Sequence, residues 1–178
     1  NASAEADVAV RFASFDGDAD RVVYFTFHSE KGFTLLDGDK IAVLTAQFVG
    51  EELEACGLSD EINMGIVQTA YANGAAHKAV LAKGIECPYA KTGVKYCHHK
   101  AVEYDIGIYY EANGHGTAIF KDEVVDMIRT RMGNGSAWTD RQKLAMERLL
   151  ATAQLYNQAV GDATCDALFV ESVLAIKG

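Results

Sequence analysis

The stretch that most limits the fold is Asp105-Ile106-Gly107-Ile108-Tyr109-Tyr110, an apolar run with the length and β-branched content of a buried strand. It passes straight into Glu111-Ala112-Asn113-Gly114-His115-Gly116-Thr117 and returns as Ala118-Ile119-Phe120. A connection this short joins antiparallel neighbours, because parallel strands need a crossover of a dozen residues or more. Elsewhere strand-like runs alternate with helical periodicity, the pattern of a parallel α/β layer. The two signals together predict an α/β fold with a mixed β-sheet and flanking helices.

The remaining elements follow from turn and cap chemistry. Strands are expected at 8–15 and 21–28, with a Glu-Lys-Gly turn at 30–32 marking a domain boundary. Asp37 or Asp39 caps a helix from about 40 to 55, which buries Ile41, Leu44, Phe48 and Leu53 and ends at Gly57. A strand from Met64 to Ala70 precedes a helix capped by Asn73. Pro88 assigns the strand 86–90 to a sheet edge, or itself to the strand's first residues, since proline donates nothing to a ladder. Helices are expected at 94–103, 121–132, 140–158 and 162–175, with a loop at 133–136.

Chemistry concentrates first in Asp16-Gly17-Asp18-Ala19-Asp20-Arg21, directly after the first apolar run. Three carboxylates at alternate positions repel one another, at a cost of roughly a few kcal/mol in a folded loop, and a divalent cation removes the conflict. An EF-hand loop starts alike but needs Gly at its sixth position and Glu at its twelfth, where this chain has Arg21 and Phe27. A Mg²⁺ site with positions open to water or phosphate fits the donors better. Arg21 beside it can fork onto a phosphate oxygen, which points to phosphoryl transfer. A solvated acidic turn neutralised by Arg21 is the plainer alternative.

The second concentration is the loop after the 105–110 strand. Glu111 can accept from two sugar hydroxyls, Asn113 can donate and accept, and the glycines let the backbone approach a ligand closely. The same residues also suit a simple hairpin turn, with Asn113-Gly114 supplying positive φ angles.

D-G-D-A-D-R and E-A-N-G-H-G-T together resemble the α-D-phosphohexomutase superfamily, most closely its phosphoacetylglucosamine mutase branch. Further segments agree in order: Leu36-Asp37-Gly38-Asp39-Lys40, Thr92-Gly93-Val94-Lys95 before His98-His99, and Asn157-Gln158-Ala159-Val160-Gly161-Asp162-Ala163. The resemblance implies that Asp16, Asp18 and Asp20 hold Mg²⁺ against a phosphoserine, with Arg21 beside it as a catalytic residue. It implies that Glu111 and Asn113 grip a hexosamine phosphate, with Gly114, His115, Lys95 and His98 in supporting contacts. The reaction implied interconverts N-acetylglucosamine 6-phosphate and N-acetylglucosamine 1-phosphate on the route to UDP-N-acetylglucosamine. Another phosphohexomutase activity, on mannose or glucose phosphates, is the nearest alternative.

The chain contains no T-A-S-H-N-like catalytic serine loop and no late Arg-Ser-Gly-type phosphate loop. By resemblance, residues 1–33 are the closing β-hairpin part of a metal-binding second domain and 34–178 a sugar-binding third domain. Domains one and four of the same polypeptide are then the missing partners, and the chain alone is expected to be inactive.

A formal net charge of −9 in 178 residues argues against nucleic acid as a partner. No apolar run is long enough to span a bilayer. Cys56, Cys87, Cys97 and Cys165 are widely spaced with no C-x-x-C pair, which fits reduced thiols in a cytoplasmic protein. Adjacent His98 and His99 are expected on different sides of a helix, which makes a zinc site there improbable. Two further classes stay open: a haloacid-dehalogenase-like phosphatase, against which Asp20 stands where that family has Thr or Val, and a non-catalytic sugar-binding module.

Overall fold

The computed structural model describes residues 10–30, 32–134 and 138–177. Lys31 of the expected turn, Gly135 and Ser136 of the expected 133–136 loop, and the first two residues of the strand expected at 8–15 lie outside the described residues. Two sheets form. The first is an antiparallel meander of β1 (Arg11–Phe15), β2 (Val22–His28) and β3 (Gly32–Leu36), with Phe15 opposite Val22 and Tyr24 opposite Leu36. The second has strand order β5-β4-β6-β7, built from β4 (Met64–Thr69), β5 (Tyr89–Ala90), β6 (Ile106–Tyr110) and β7 (Gly116–Phe120). β4 pairs in parallel with both β5 and β6, while β6 and β7 are antiparallel with Tyr110 opposite Gly116. The mixed sheet expected from the tight 111–115 connection is present.

β3 departs from the expected turn-then-helix reading of its segment. Its residues are mostly exposed, so the alternation of buried and exposed positions that signals a strand is absent, and pairing with β2 and a hydrogen bond from Lys40 Nζ to Leu35 O at 2.7 Å hold it. The strand expected at 86–90 shrinks to an isolated bridge at Glu86 and the two residues of β5. Pro88 lies between them and contributes its carbonyl, which accepts from Gln68 N at 3.2 Å, so the edge position holds.

The helices are α1 (Gly38–Ala55), α2 (Gly74–Leu81), α3 (Val94–Ala101), α4 (Asp122–Asn134), α5 (Asp140–Leu155) and α6 (Ala163–Lys177). Among the described residues no helix is long and apolar enough to cross a membrane. Asp37 caps α1, accepting from Lys40 N at 3.2 Å. Asp39 turns inward and accepts from Asn73 N at 2.7 Å, tying α1 to the cap of α2. α1 buries Ile41, Ala42, Phe48, Val49 and Leu53 at helical spacing. It packs on α5 and β6, and buried Glu52 is clamped there by Arg141 and by Arg148 at 3.0 Å. On the meander, Phe12, Phe25, Phe27 and Phe33 pack ring on ring, Phe12 stacked on Phe25 at 5.1 Å, with Phe27 62% exposed.

A polar cluster crosses the core. Tyr110 OH donates to Asp166 Oδ1 at 2.8 Å and lies 3.3 Å from Tyr156 OH, which is 3.0 Å from Thr45 Oγ1. Asp166 is fully buried and its Oδ2 has no hydrogen-bond partner. Burial pushes its carboxyl up to about 8, against the Tyr110 hydrogen bond that pulls it down. Unfolded, the same group ionises near 4, so the unfolded chain sheds the proton first as pH rises. The stabilisation is complete below about pH 4 and is lost as pH climbs to about 8, by at most ~1.4 kcal/mol per pH unit. Asp166→Asn has no such proton to lose. In denaturant titrations between pH 5 and 8, the variant is expected to gain about 2–4 kcal/mol on the parent protein.

Candidate metal and ligand site

After β1 ends at Phe15 the chain reverses through Asp16 to Arg21, and Asp16 builds the turn itself. Its Oδ1 accepts from Asp20 N at 3.1 Å and from Arg21 N at 3.2 Å. Ala19 takes φ 57°, a left-handed conformation that alanine rarely adopts, and its carbonyl is held by Ala163 N at 3.0 Å. The resulting loop gathers Asp16, Asp18 and Asp20 so that one carboxylate oxygen from each lies within 4.8 Å of the others.

The electrostatics of the cluster are uneven. Asp16 sits below its ordinary carboxylate range: desolvation acts upward, but the hydrogen bond from Arg21 N, with others from Asp20 and the Arg21 charge, outweighs it. Asp20 sits above its range through desolvation, opposed by His115 and reinforced by Asp18 and Asp16. Arg21 Nε lies 3.6 Å from Asp16 Oδ2 and 3.4 Å from Asp20 Oδ1. The latter approach lacks hydrogen-bond geometry, so Asp20 Oδ1 is buried without a hydrogen-bond partner. An orphaned buried carboxylate oxygen beside two further carboxylates fits a hard divalent cation, which takes oxygen ligands and relieves the repulsion.

The 111–115 connection lies directly against this loop. Glu111 N donates to His115 O at 2.8 Å, Gly114 N to Glu111 O at 2.9 Å, and His115 N to Asn113 Oδ1 at 3.0 Å. Of the two residues expected at positive φ, only Gly114 takes it, at 91°, and Asn113 serves the turn through its side-chain oxygen. Outward, Gly114 O accepts from Val22 N and Ala112 O from Gly38 N, each at 3.3 Å, and Arg21 forms an antiparallel bridge with His115. The loop is therefore stitched both to the aspartate loop and to the start of α1.

A cavity of about 440 Å³ opens beside the junction, and Asp20, His115, Lys95, His98 and His99 line it with Tyr109 and 159–161. Three of the residues singled out for ligand contact, Lys95, His98 and His115, thus meet at one space with an aspartate of the cluster. Glu111 and Asn113 do not line it. Glu111 Oε1 accepts from Gly93 N at 3.0 Å, at the otherwise uncapped start of α3, and Asn113 is exposed. Lys95 is exposed, its Nζ 5.0 Å over the Tyr96 ring, and His98 Nδ1 lies 3.3 Å from Tyr109 OH. His98 and His99, adjacent on α3, both reach the cavity, with ring centroids 6.3 Å apart.

Tyr109 and Gly161 were not legible as site residues. Period-2 alternation along β6 does separate Tyr109, which packs with α3, from Tyr110, which enters the main core. Nothing local marks Gly161.

The described family "Phosphoacetylglucosamine mutase AMG1, domain III" matches residues 37–178. The phosphoacetylglucosamine mutase of Oryza sativa subsp. japonica is 46% identical over 184 residues, covering 97% of this chain and 33% of the relative. The Homo sapiens phosphoacetylglucosamine mutase is 46% identical over 171 residues, covering 94% and 30%. Among solved structures, Aspergillus fumigatus N-acetylphosphoglucosamine mutase in complex with GlcNAc-6P and magnesium superposes with a TM-score of 0.88 at 41% identity, over 99% of this chain and 35% of that one. A substrate complex of N-acetylglucosamine-phosphate mutase, a member of the alpha-D-phosphohexomutase superfamily, gives 0.85 at 42% identity over 92% and 30%. The chain belongs to the phosphoacetylglucosamine mutase family, and it spans about a third of the length of the curated relatives it matches.

Proposed function

We propose, from that membership, that this chain supplies the cation and sugar-recognition parts of a phosphoacetylglucosamine mutase. The reaction interconverts N-acetylglucosamine 6-phosphate and N-acetylglucosamine 1-phosphate through a phosphoserine carried elsewhere in the polypeptide. The observation that carries the reading is the backbone junction of the two loops, Arg21 bridged to His115 and Val22 N donating to Gly114 O, which fixes the aspartate cluster against a ligand-sized cavity.

In this reading Asp16, Asp18 and Asp20 hold Mg²⁺. When bound, the ion neutralises charge on the phosphoryl group as it moves. Arg21, now facing Asp16 and Asp20, turns its remaining guanidinium N–H groups to a phosphate oxygen. Glu111 keeps Oε1 on Gly93 N and offers Oε2 to sugar hydroxyls, while Lys95 and His98 contact the phosphate or sugar across the cavity. Residues through the end of β3 close a second domain and 37–178 form the third, a boundary later than the 33/34 division expected from sequence because β3 pairs with β2 up to Leu36. The exposed ring cluster of Phe12, Phe25, Phe27 and Phe33 supports this division, as the surface on which the rest of the second domain packs.

The complete polypeptide is expected to convert N-acetylglucosamine 6-phosphate in a coupled assay with a bisphosphate activator and Mg²⁺, while the 178-residue chain alone shows no turnover. Phosphate release by this chain alone, abolished by Asp16→Asn, would instead indicate a phosphatase. Glu111→Ala should raise the substrate KM about tenfold or more, because each charge-assisted hydrogen bond contributes roughly 1.5–3 kcal/mol. Asn113→Ala, which loses the turn bond to His115 N, should lower the melting temperature and leave KM nearly unchanged. An unchanged KM for Glu111→Ala removes the sugar assignment.

A further inference from the structure

We infer that His115 is a positioning residue for the cation, acting through Asp20, and that Gly161 is the seat that fixes its ring. The inference rests on the cation reading of the aspartate cluster. Asp20 is approached by Arg21 at one oxygen and by His115 at the other. Arg21 Nε stands 3.4 Å from Oδ1, and a carboxylate free to rotate would close onto the guanidinium and leave the cluster. His115 Nδ1, 3.3 Å from Oδ2, engages the opposite oxygen. That contact holds the carboxylate plane and leaves Oδ1, the buried atom without a hydrogen-bond partner, for the ion.

A positioning group must itself be fixed. The His115 side chain is only 14% exposed, and its backbone is pinned by the bridge to Arg21 and by its N–H on Asn113 Oδ1. The ring rests on Gly161, which is buried: a Cβ built there would fall 2.5 Å from Cδ2 and 2.7 Å from Nε2 of His115. The third nearest atom is Gly116 O at 3.1 Å, so backbone blocks one direction of escape and the ring must move instead. Two residues further on, Ala163 N holds the carbonyl of Ala19, the strained residue between Asp18 and Asp20. The segment 161–163 therefore grips both loops, one through a ring and one through a backbone hydrogen bond.

Partners that orient metal-binding carboxylates without touching the ion typically change affinity by about 10–100-fold when removed. Mn²⁺ binding to the complete polypeptide, read from the electron paramagnetic resonance of the free ion without sugar phosphate, isolates this role from any contact His115 makes with substrate. His115→Ala and Gly161→Ala are each expected to weaken Mn²⁺ by about 10–100-fold. His115→Asn, which restores an N–H near the position of Nδ1, should recover most of the loss. Adding Gly161→Ala to His115→Ala should cost little more, because no ring remains to be displaced.

Asp18→Ala separates the inference from the reading beneath it. If Asp18→Ala abolishes Mn²⁺ binding while His115→Ala leaves it unchanged, the positioning role falls and the cation site stands. If Asp18→Ala itself leaves binding unchanged, both fall. Should His115→Ala melt early, His115→Asn decides, since recovery of the melting temperature without recovery of Mn²⁺ affinity overturns the inference. Fully additive losses in the Gly161 and His115 pair would remove Gly161 from it.

Discussion

Asp18→Ala in the complete polypeptide is expected to lower turnover by about 10³-fold, since a Lewis-acid cation contributes several kcal/mol to a phosphoryl transition state and ~1.4 kcal/mol is tenfold in rate. Its melting temperature in metal-free buffer should stay level or rise slightly. Among the described residues Asp18 is exposed and makes no hydrogen bond or ion pair, and its charge adds to the repulsion on Asp20. Asp16→Ala should match the loss of turnover but also destabilise, because Asp16 Oδ1 carries two backbone N–H groups of the loop. Asp20→Ala should lose turnover while freeing His115. Steady-state kinetics beside calorimetry on the three variants separates ligand from scaffold, and a mild kinetic loss for Asp18→Ala would count against the cation.

Gly114→Ala is expected to be among the most damaging single methyl additions at the described residues. Gly114 is held at φ 91°, and a Cβ there would meet Val22 O at 2.1 Å, a backbone atom that cannot rotate away. The left-handed conformation costs an L-residue about 1–2 kcal/mol and the overlap about 1–3 more, so a loss of roughly 2–5 kcal/mol follows. For a chain of this size that is a fall in melting temperature of about 5–15 °C. Because the same methyl would lie 3.1 Å from Val22 N, the donor to Gly114 O, the two loops should part and turnover should drop with stability. Gly133→Ala is the control: it is helical with nothing among the described residues within 4 Å of the new methyl, so it should stabilise by about 0.5–1 kcal/mol.

These expectations differ in how far they were legible in the chain. The aspartate cluster was readable because its chemistry is local: three carboxylates at alternate positions can meet within one turn. The same holds for Asp37 as a cap, for β6 and β7, and for Pro88 at an edge. β3 was not readable because its residues are mostly exposed and what holds it comes from elsewhere in the chain: the partner strand β2 and Lys40 of α1, whose Nζ donates to Leu35 O at 2.7 Å. The cavity was half readable: Lys95 and His98 belong to a recognisable segment, but His99 reaches the same space only because of how α3 sits on β6. Gly161 and Ala163 act on residues far away in sequence, His115 and Ala19, and no pattern along the chain encodes such contacts. Family resemblance had drawn attention to the 157–163 segment without giving it a role, and the structure supplies the contacts for one.

The proposed mutase role requires that the aspartate cluster hold the divalent cation at the junction with the 111–115 loop. Crystals of the complete polypeptide soaked in Mn²⁺ and recorded at the manganese absorption edge test it directly. The expected result is an anomalous peak about 2.1 Å from one carboxylate oxygen each of Asp16, Asp18 and Asp20, with Arg21 Nε moved off Asp20 Oδ1. A peak elsewhere, with the Arg21 pairs to Asp16 and Asp20 intact, would contradict it.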